Sequence, residues 1–306
     1  MTEIFPILLT AIVAGTPLLY AALGELVTER SGVLNLGVEG MMVMGAITGF
    51  AAVYTTGNLW LGVLAAGATG GVLALAFGVL AITLRVNHVA AGLALTIFGI
   101  SLGAYVGKPL VGQSLSLTEA QVSGGMTEIP LLGPLFDLIH PLVWASWLLF
   151  ASLWYFAART RAGLVLRAIG ESPRSADAIG YPVMRIQFLA TGFGGVMAGI
   201  AGAFISVVYT SIWTEGMVAG RGWIAVALVI FATWRPERCI IGAYLFGGMT
   251  IAELLGQAMG LGVPTEFLSA TPYLATVIVL VLISRKDSRM RLSVPAALGK
   301  SLDIKG

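Results

Sequence analysis

"LWLGVLAAGATGGVLALAFGVLAIT", residues 59–83, carries no charged side chain from end to end. At about 1.5 Å per residue, a helix of this length spans roughly 37 Å, more than the ~30 Å hydrocarbon core of a bilayer. Its apolar positions do not alternate with polar ones, so it does not read as a strand of a transmembrane barrel. Comparable runs recur at 4–24, 38–56, 88–107, 141–158, 186–211, 222–234, 239–259 and 269–284. The composition agrees. Of 306 residues, 58% are hydrophobic and 10% charged, with a mean hydropathy of +0.93. Soluble domains carry about 25% charged residues. The expected fold is an all-α polytopic membrane protein with about nine (8–10) transmembrane helices, some broken or re-entrant. Residues 1–306 read as a single transmembrane domain, because no segment between spans is long enough to fold by itself.

The cations set the expected orientation. With the N-terminus outside, the cytoplasmic segments are 25–37, 84–87, 159–185, 235–238 and the tail from 285. They hold all of the 17 Lys and Arg except Lys108 and Arg221. That asymmetry follows the positive-inside rule and places the C-terminus in the cytoplasm. One missed span would scramble it. The first run lacks a basic leader and a small-residue cleavage site, so it reads as a retained span. Two connections are long: 108–140, expected outside, and 159–185, expected in the cytoplasm.

The cytoplasmic connection contains "RAIGESPRSADAIGYP", residues 167–182, a short polar helix marked at both ends. Ser172 suits the N-cap and Pro173 the first turn, where a missing N–H costs nothing. Gly180 suits the left-handed position after the helix, and Pro182 stops continuation. Ala176 and Ile179, at i and i+3, make a small apolar face among basic residues. Such a helix fits a groove on a soluble partner and could carry rigid-body motion into the membrane. A plain connector with one helical turn is the alternative.

Three further constellations stand out. In "ERSGVLNLGVEGMM" (29–42), Glu29, Arg30, Asn35 and Glu39, with Glu25 before them, are interleaved with Gly32, Gly37 and Gly40. Charges within a span line cavities or pair with one another, and glycines permit a broken helix. A solvated cytoplasmic turn is the other reading. "WTEGMVAGRGW" (213–223) precedes an apolar run too short to span, which points to a re-entrant half-helix. There Arg221 could contact a ligand, pair with Glu215 or snorkel to headgroups. Small residues at i, i+4 (Gly195/Gly199, Ala198/Gly202, Gly67/Gly71, Gly256/Gly260) allow close helix approach within the subunit.

Catalytic patterns are lacking. His88 and His140 stand apart from any metal-ligand spacing, and Cys239 is the single cysteine. No GxxxxGK[ST] phosphate loop is present, so ATP chemistry is not expected in this chain. Acids within the spans are few, which weakens the reading as a self-contained secondary transporter or channel.

Three stretches, "GVLNLGVEGMMVMGA" (32–46), "GLVLRAIGESPRSADAIGY" (163–181) and "GMVAGRGWIAVALVIFATWRP" (216–236), resemble the permease subunits of bacterial ABC importers in the sugar and nucleoside branch. The resemblance runs in order over nearly the whole chain. It implies that two permease subunits, here non-identical, surround a central pathway in the bacterial inner (plasma) membrane. It further implies that ABC ATPase subunits, which hold the ATP and Mg, dock from the cytoplasm, and that an extracytoplasmic solute-binding protein delivers the solute. Lipid is a partner and nucleic acid is not; this chain carries no cofactor and no enzyme activity. By the same resemblance, 159–185 is the coupling loop and 172–180 its helix, with Arg167, Gly170, Glu171, Ser172, Pro173, Ala176, Ile179 and Gly180 in the matching motif. The expected solutes are nucleosides or nucleobases, with simple sugars next. Asn35, Glu39 and Arg221 are the expected pathway residues. Glu215 departs from the family's neutral approach to the glycines.

Overall fold

The computed structural model describes residues 4–116, 138–259 and 294–300, with single residues between them. Among the described residues ten α-helices are formed, in order: α1 (Ile4–Arg30), α2 (Val38–Thr56), α3 (Leu59–Gly78), α4 (His88–Gly107), α5 (Pro141–Arg159), α6 (Arg161–Glu171), α7 (Pro173–Ala178), α8 (Val183–Ala203), α9 (Arg221–Phe231) and α10 (Pro236–Ala258). Single π-turns extend α3 (Val79–Thr83) and α8 (Phe204–Tyr209). Seven described helices are long and apolar enough to cross a membrane, and α9 is a shorter apolar helix. The chain is therefore a multi-pass helical membrane protein. Most of the expected span at 269–284 and most of 108–140 lie outside the described residues.

α1 is the central post. From Leu18 to Leu26 its apolar side chains are almost fully buried, and it packs against α5, α6, α8, α9 and α10. α3, α4 and α5 face outward, with Leu64, Val72, Ile97 and Leu148 each at least 65% exposed. In water such a surface would drive aggregation. Against hydrocarbon it is the stable face.

Backbone contact between glycines sets the seam among α2, α3 and α8. A Cβ at Gly202 would collide with the Met42 carbonyl oxygen, one at Gly45 with Gly199, and one at Gly70 with the Gly195 carbonyl oxygen. Lipid tails are as apolar as leucine, so helices in a bilayer gain from such close approach rather than from expelling water. Of the predicted small-residue pairs, Gly195/Gly199 and Ala198/Gly202 lie in this seam. Gly67 and Gly71 meet Val196, at 3.3 and 3.0 Å from an added Cβ. Gly260 lies outside the described residues.

Candidate functional site

Two polar assemblies are built into this apolar frame. The first begins where α1 ends. Helix α1 runs six residues past the boundary read from the apolar run, so Glu25 and Glu29 are helical, and both are buried (1% and 0% exposed). That overturns the solvated-turn reading. Each acid has one distant partner. Glu25 Oε1 accepts the Asn35 N–H at 3.2 Å, and Glu29 Oε2 accepts the indole N–H of Trp234 at 2.6 Å. Asn35 thus lies beside Glu25, roughly 7 Å back along α1 from Arg30. The chain turns at Ser31–Gly32 (φ +90° at Gly32) and doubles back before α2 starts.

Helix α2 opens on Glu39, 5% exposed, whose carboxylate reaches α9. Oε1 accepts the Gly220 N–H at 2.8 Å and Oε2 the Gly222 N–H at 2.6 Å. No side chain of the segment entering α9 caps its N-terminus. The carboxylate arrives from another helix and satisfies two of the free donors at the positive end of the dipole. The far end of α9 leads to Trp234, held by Glu29. At eleven residues, about 16 Å, the helix reaches only from the level of Glu39 to that of Glu29. It matches the short apolar run read at 222–234, whereas the re-entrant half-helix expected from 213–223 does not form: residues 215–220 are turns and helix begins only at Arg221.

The Asn35 side chain has close partners: its Oδ1 accepts the Gly37 N–H at 2.9 Å, and its Nδ2 lies 3.6 Å from the Met41 sulfur. Arg221 is half-buried. Its Nη1 donates to the Met217 carbonyl oxygen at 3.2 Å, and its guanidinium stacks over Tyr209 at 5.3 Å. Of the three roles open to Arg221, the ion pair with Glu215 does not form. Glu215 is exposed, and Arg221 is occupied by the carbonyl and the ring.

The second assembly is the segment α6–α7. The Ser172 hydroxyl accepts the Ser175 N–H at 3.3 Å, with Pro173 in the first turn, as the sequence spacing requires. The helix is six residues long. It closes when Gly180 N–H donates to Asp177 and Tyr181 N–H to Ala176, with Gly180 at φ +91°. This corrects one expectation. Ala176 is buried (3%), but Ile179 lies past the last turn and is 73% exposed, so the two do not share an inward face. Arg167 and Glu171 are exposed on α6. Gly170 is buried where an added Cβ would strike the Arg30 carbonyl oxygen.

A strap missed in the sequence holds this segment to the core. The Ala297 N–H donates to the Gly170 carbonyl oxygen at 2.9 Å, and the Gly299 N–H to the Gly32 carbonyl oxygen at 3.1 Å. Leu298 packs against the main core. Residues 295–299 therefore bridge α6 and the turn after α1. The only hint in the sequence is the apolar "VPAALG" (294–299) inside a basic tail. His88, also buried, accepts the Leu34 N–H at Nδ1 (3.2 Å), and no cluster of metal-binding side chains occurs among the described residues.

The model of the family described as branched-chain amino acid transport system / permease component matches residues 7–284. The chain belongs to this family. It is 39% identical, over 94% of both chains, to a protein of Haloferax volcanii named "Putative glucose ABC transporter permease protein". It is 30% identical to a nucleoside ABC transporter permease protein of Lactococcus lactis, covering 90% of this chain and 91% of the relative. It is 28% identical to a guanosine ABC transporter permease protein of Bacillus subtilis, covering 98% and 99%. A permease component is a transport subunit, and the two polar assemblies described above hold helices together.

Proposed function

We propose that this permease forms half of the solute pathway of an ATP-driven nucleoside importer and receives the force of ATP binding through α7. The observation that carries the reading is the α6–α7 segment: a capped, six-residue helix follows directly on α6, which the 295–299 strap ties by backbone hydrogen bonds to the turn after the central helix. A rigid lever transmits displacement, and a floppy loop absorbs it. Arg167, Gly170, Glu171, Ser172, Pro173, Ala176 and Gly180 form the lever and its seat, and Ile179 is the exposed apolar side chain offered to the ATPase. Rocking of this subunit against a second, non-identical permease alternates access. The chain then sits in the cytoplasmic membrane with its N-terminus outside and α7 in the cytoplasm. An extracytoplasmic binding protein supplies the solute.

Asn35, Glu39 and Arg221 shape the pathway wall. Asn35 and Glu39 do so by fixing α2 to its neighbours, and Arg221 by presenting a partly exposed guanidinium. The names of the Lactococcus and Bacillus relatives support a nucleoside. The Haloferax relative supports a second reading, a simple sugar. The test is uptake of labelled guanosine and of labelled glucose into proteoliposomes holding the complex purified with its partner subunits. ATP-dependent guanosine uptake sustains the nucleoside reading, glucose uptake alone replaces it with the sugar, and gradient-driven uptake by the lone chain refutes both.

A further inference from the structure

Three guanidinium groups from three separate elements line one recess at the end of α1. Arg30 closes α1, Arg167 stands on α6, and Arg235 follows the turn at Thr233–Trp234; Glu171 and Pro295 complete the wall. Arg30 is half-buried, and its Nη2 donates to the Trp234 carbonyl oxygen. That bond fixes its position without a counter-charge in contact; Arg167 and Arg235 repel it, and Glu237 attracts it from farther off. Among the described residues, neither Arg30 nor Arg167 has a carboxylate within 4.0 Å, and Arg235 has only the loosely placed Glu237, at 4.0 Å. Glu171 is the one carboxylate among the lining residues of the recess, and Glu237 stands just outside them.

Surface arginines usually fan apart into water. Here the fold keeps them together. The strap ties α6 to the turn after α1, through Ala297 on Gly170 and Gly299 on Gly32. The 233–234 turn is pinned by the Trp234 indole on Glu29, and both of its residues sit at positive φ (51° and 55°). Non-glycine residues hold that conformation only where their surroundings over-determine it. Two independent sets of ties, one with local strain, thus enforce a convergence that electrostatics opposes.

We propose that this recess is a binding site for a phosphate-bearing anion. Guanidinium forks match phosphate oxygens in paired hydrogen bonds, and three of them would neutralise a phosphomonoester or hold a phosphodiester. The bound group bridges Arg167 on the lever to Arg30 on the central helix, so it favours the docked position of α6. Two sources share this chemistry: a soluble phosphate compound of the cytoplasm and the headgroup of an anionic lipid. The site does not depend on which solute is carried.

The experiment uses the full chain with its copurifying subunits, in nanodiscs of phosphatidylcholine alone or with phosphatidylglycerol. Inorganic phosphate is titrated into the first set. The readouts are the thermal midpoint and native mass spectrometry. A saturable rise of the midpoint with phosphate identifies a soluble anion. A raised midpoint with one phosphatidylglycerol retained per chain identifies lipid. Either effect should weaken at least about tenfold in Arg167→Gln/Arg235→Gln, since each charge-assisted bond lost is worth that much or more. Arg235→Lys, which keeps the charge and loses the fork, should show a smaller loss and guards against misfolding of the double variant. Equal midpoints and lipid retention in native and substituted protein would overturn the site. So would loss of a copurifying subunit from the double variant with neither probe bound, because the recess would then hold an acidic side chain of that subunit.

Discussion

The carboxylate of Glu39 accepts the backbone N–H of Gly222 at 2.6 Å, across 183 residues of sequence, while its other oxygen takes the N–H of Gly220. One side chain thus joins the start of α2 to the start of α9. Glu39→Gln keeps an acceptor for one N–H and loses it for the other. Glu39→Ala leaves both donors without a partner. A buried unsatisfied donor costs about 1–3 kcal/mol, so Ala should lower the thermal midpoint in detergent by more than Gln, and both should fall below the native protein. Equal midpoints for all three would mean that the carboxylate does not hold α9.

The glycine seam predicts a contrast between positions in the same kind of helix. Gly202→Ala places a methyl onto the Met42 carbonyl, whereas Gly248→Ala meets nothing within 4 Å. The first should force α2 and α8 apart, with loss of monodisperse protein by size-exclusion chromatography. The second should be neutral or slightly stabilising, because alanine favours helix by about 1 kcal/mol over glycine.

Substitution at the lever should separate two activities. Ala176→Leu overfills a buried site, at a cost of about 1–3 kcal/mol, and Gly180→Val strains a residue held at φ +91°. Both should leave the membrane-inserted amount unchanged and lower the ratio of solute transported to ATP hydrolysed. Ile179→Ser, on the exposed side, should instead weaken retention of the ATPase subunit in a pull-down.

The strap should act without touching either partner. Ala297→Pro removes the N–H that reaches Gly170. We expect faster proteolysis within 159–172 and the same fall in coupling as at α7. Leu298→Ala, which trims packing but keeps both hydrogen bonds, should give a milder effect.

The spans were legible because apolar length alone identifies them; α2 runs from 38 to 56 and α4 from 88 to 107, as the composition indicates. The caps of α7 were legible because Ser172, Pro173 and Gly180 each answer a local backbone need. The end of α1 was not. Glu25 and Glu29 look like a solvated terminus until Asn35 and, 205 residues from Glu29, Trp234 supply their hydrogen bonds. Glu39 was singled out as polar within an apolar stretch, but its partners are backbone groups, which no side-chain pattern reveals. Arg221 was noticed for its charge, and the Tyr209 ring that receives it lies beyond the motif. Local chemistry is written locally; tertiary polar ties are not.

The strap also imposes an order in time. Residues 295–299 follow every described span, yet they fasten α6, which precedes α8, α9 and α10. During synthesis α6 therefore lacks these ties until the later helices and residues 295–299 have been made. In the proposed importer a half-made subunit then has no seated α6–α7 segment to offer, and an ATPase that recognised the seated form would be spared engagement with unfinished permeases.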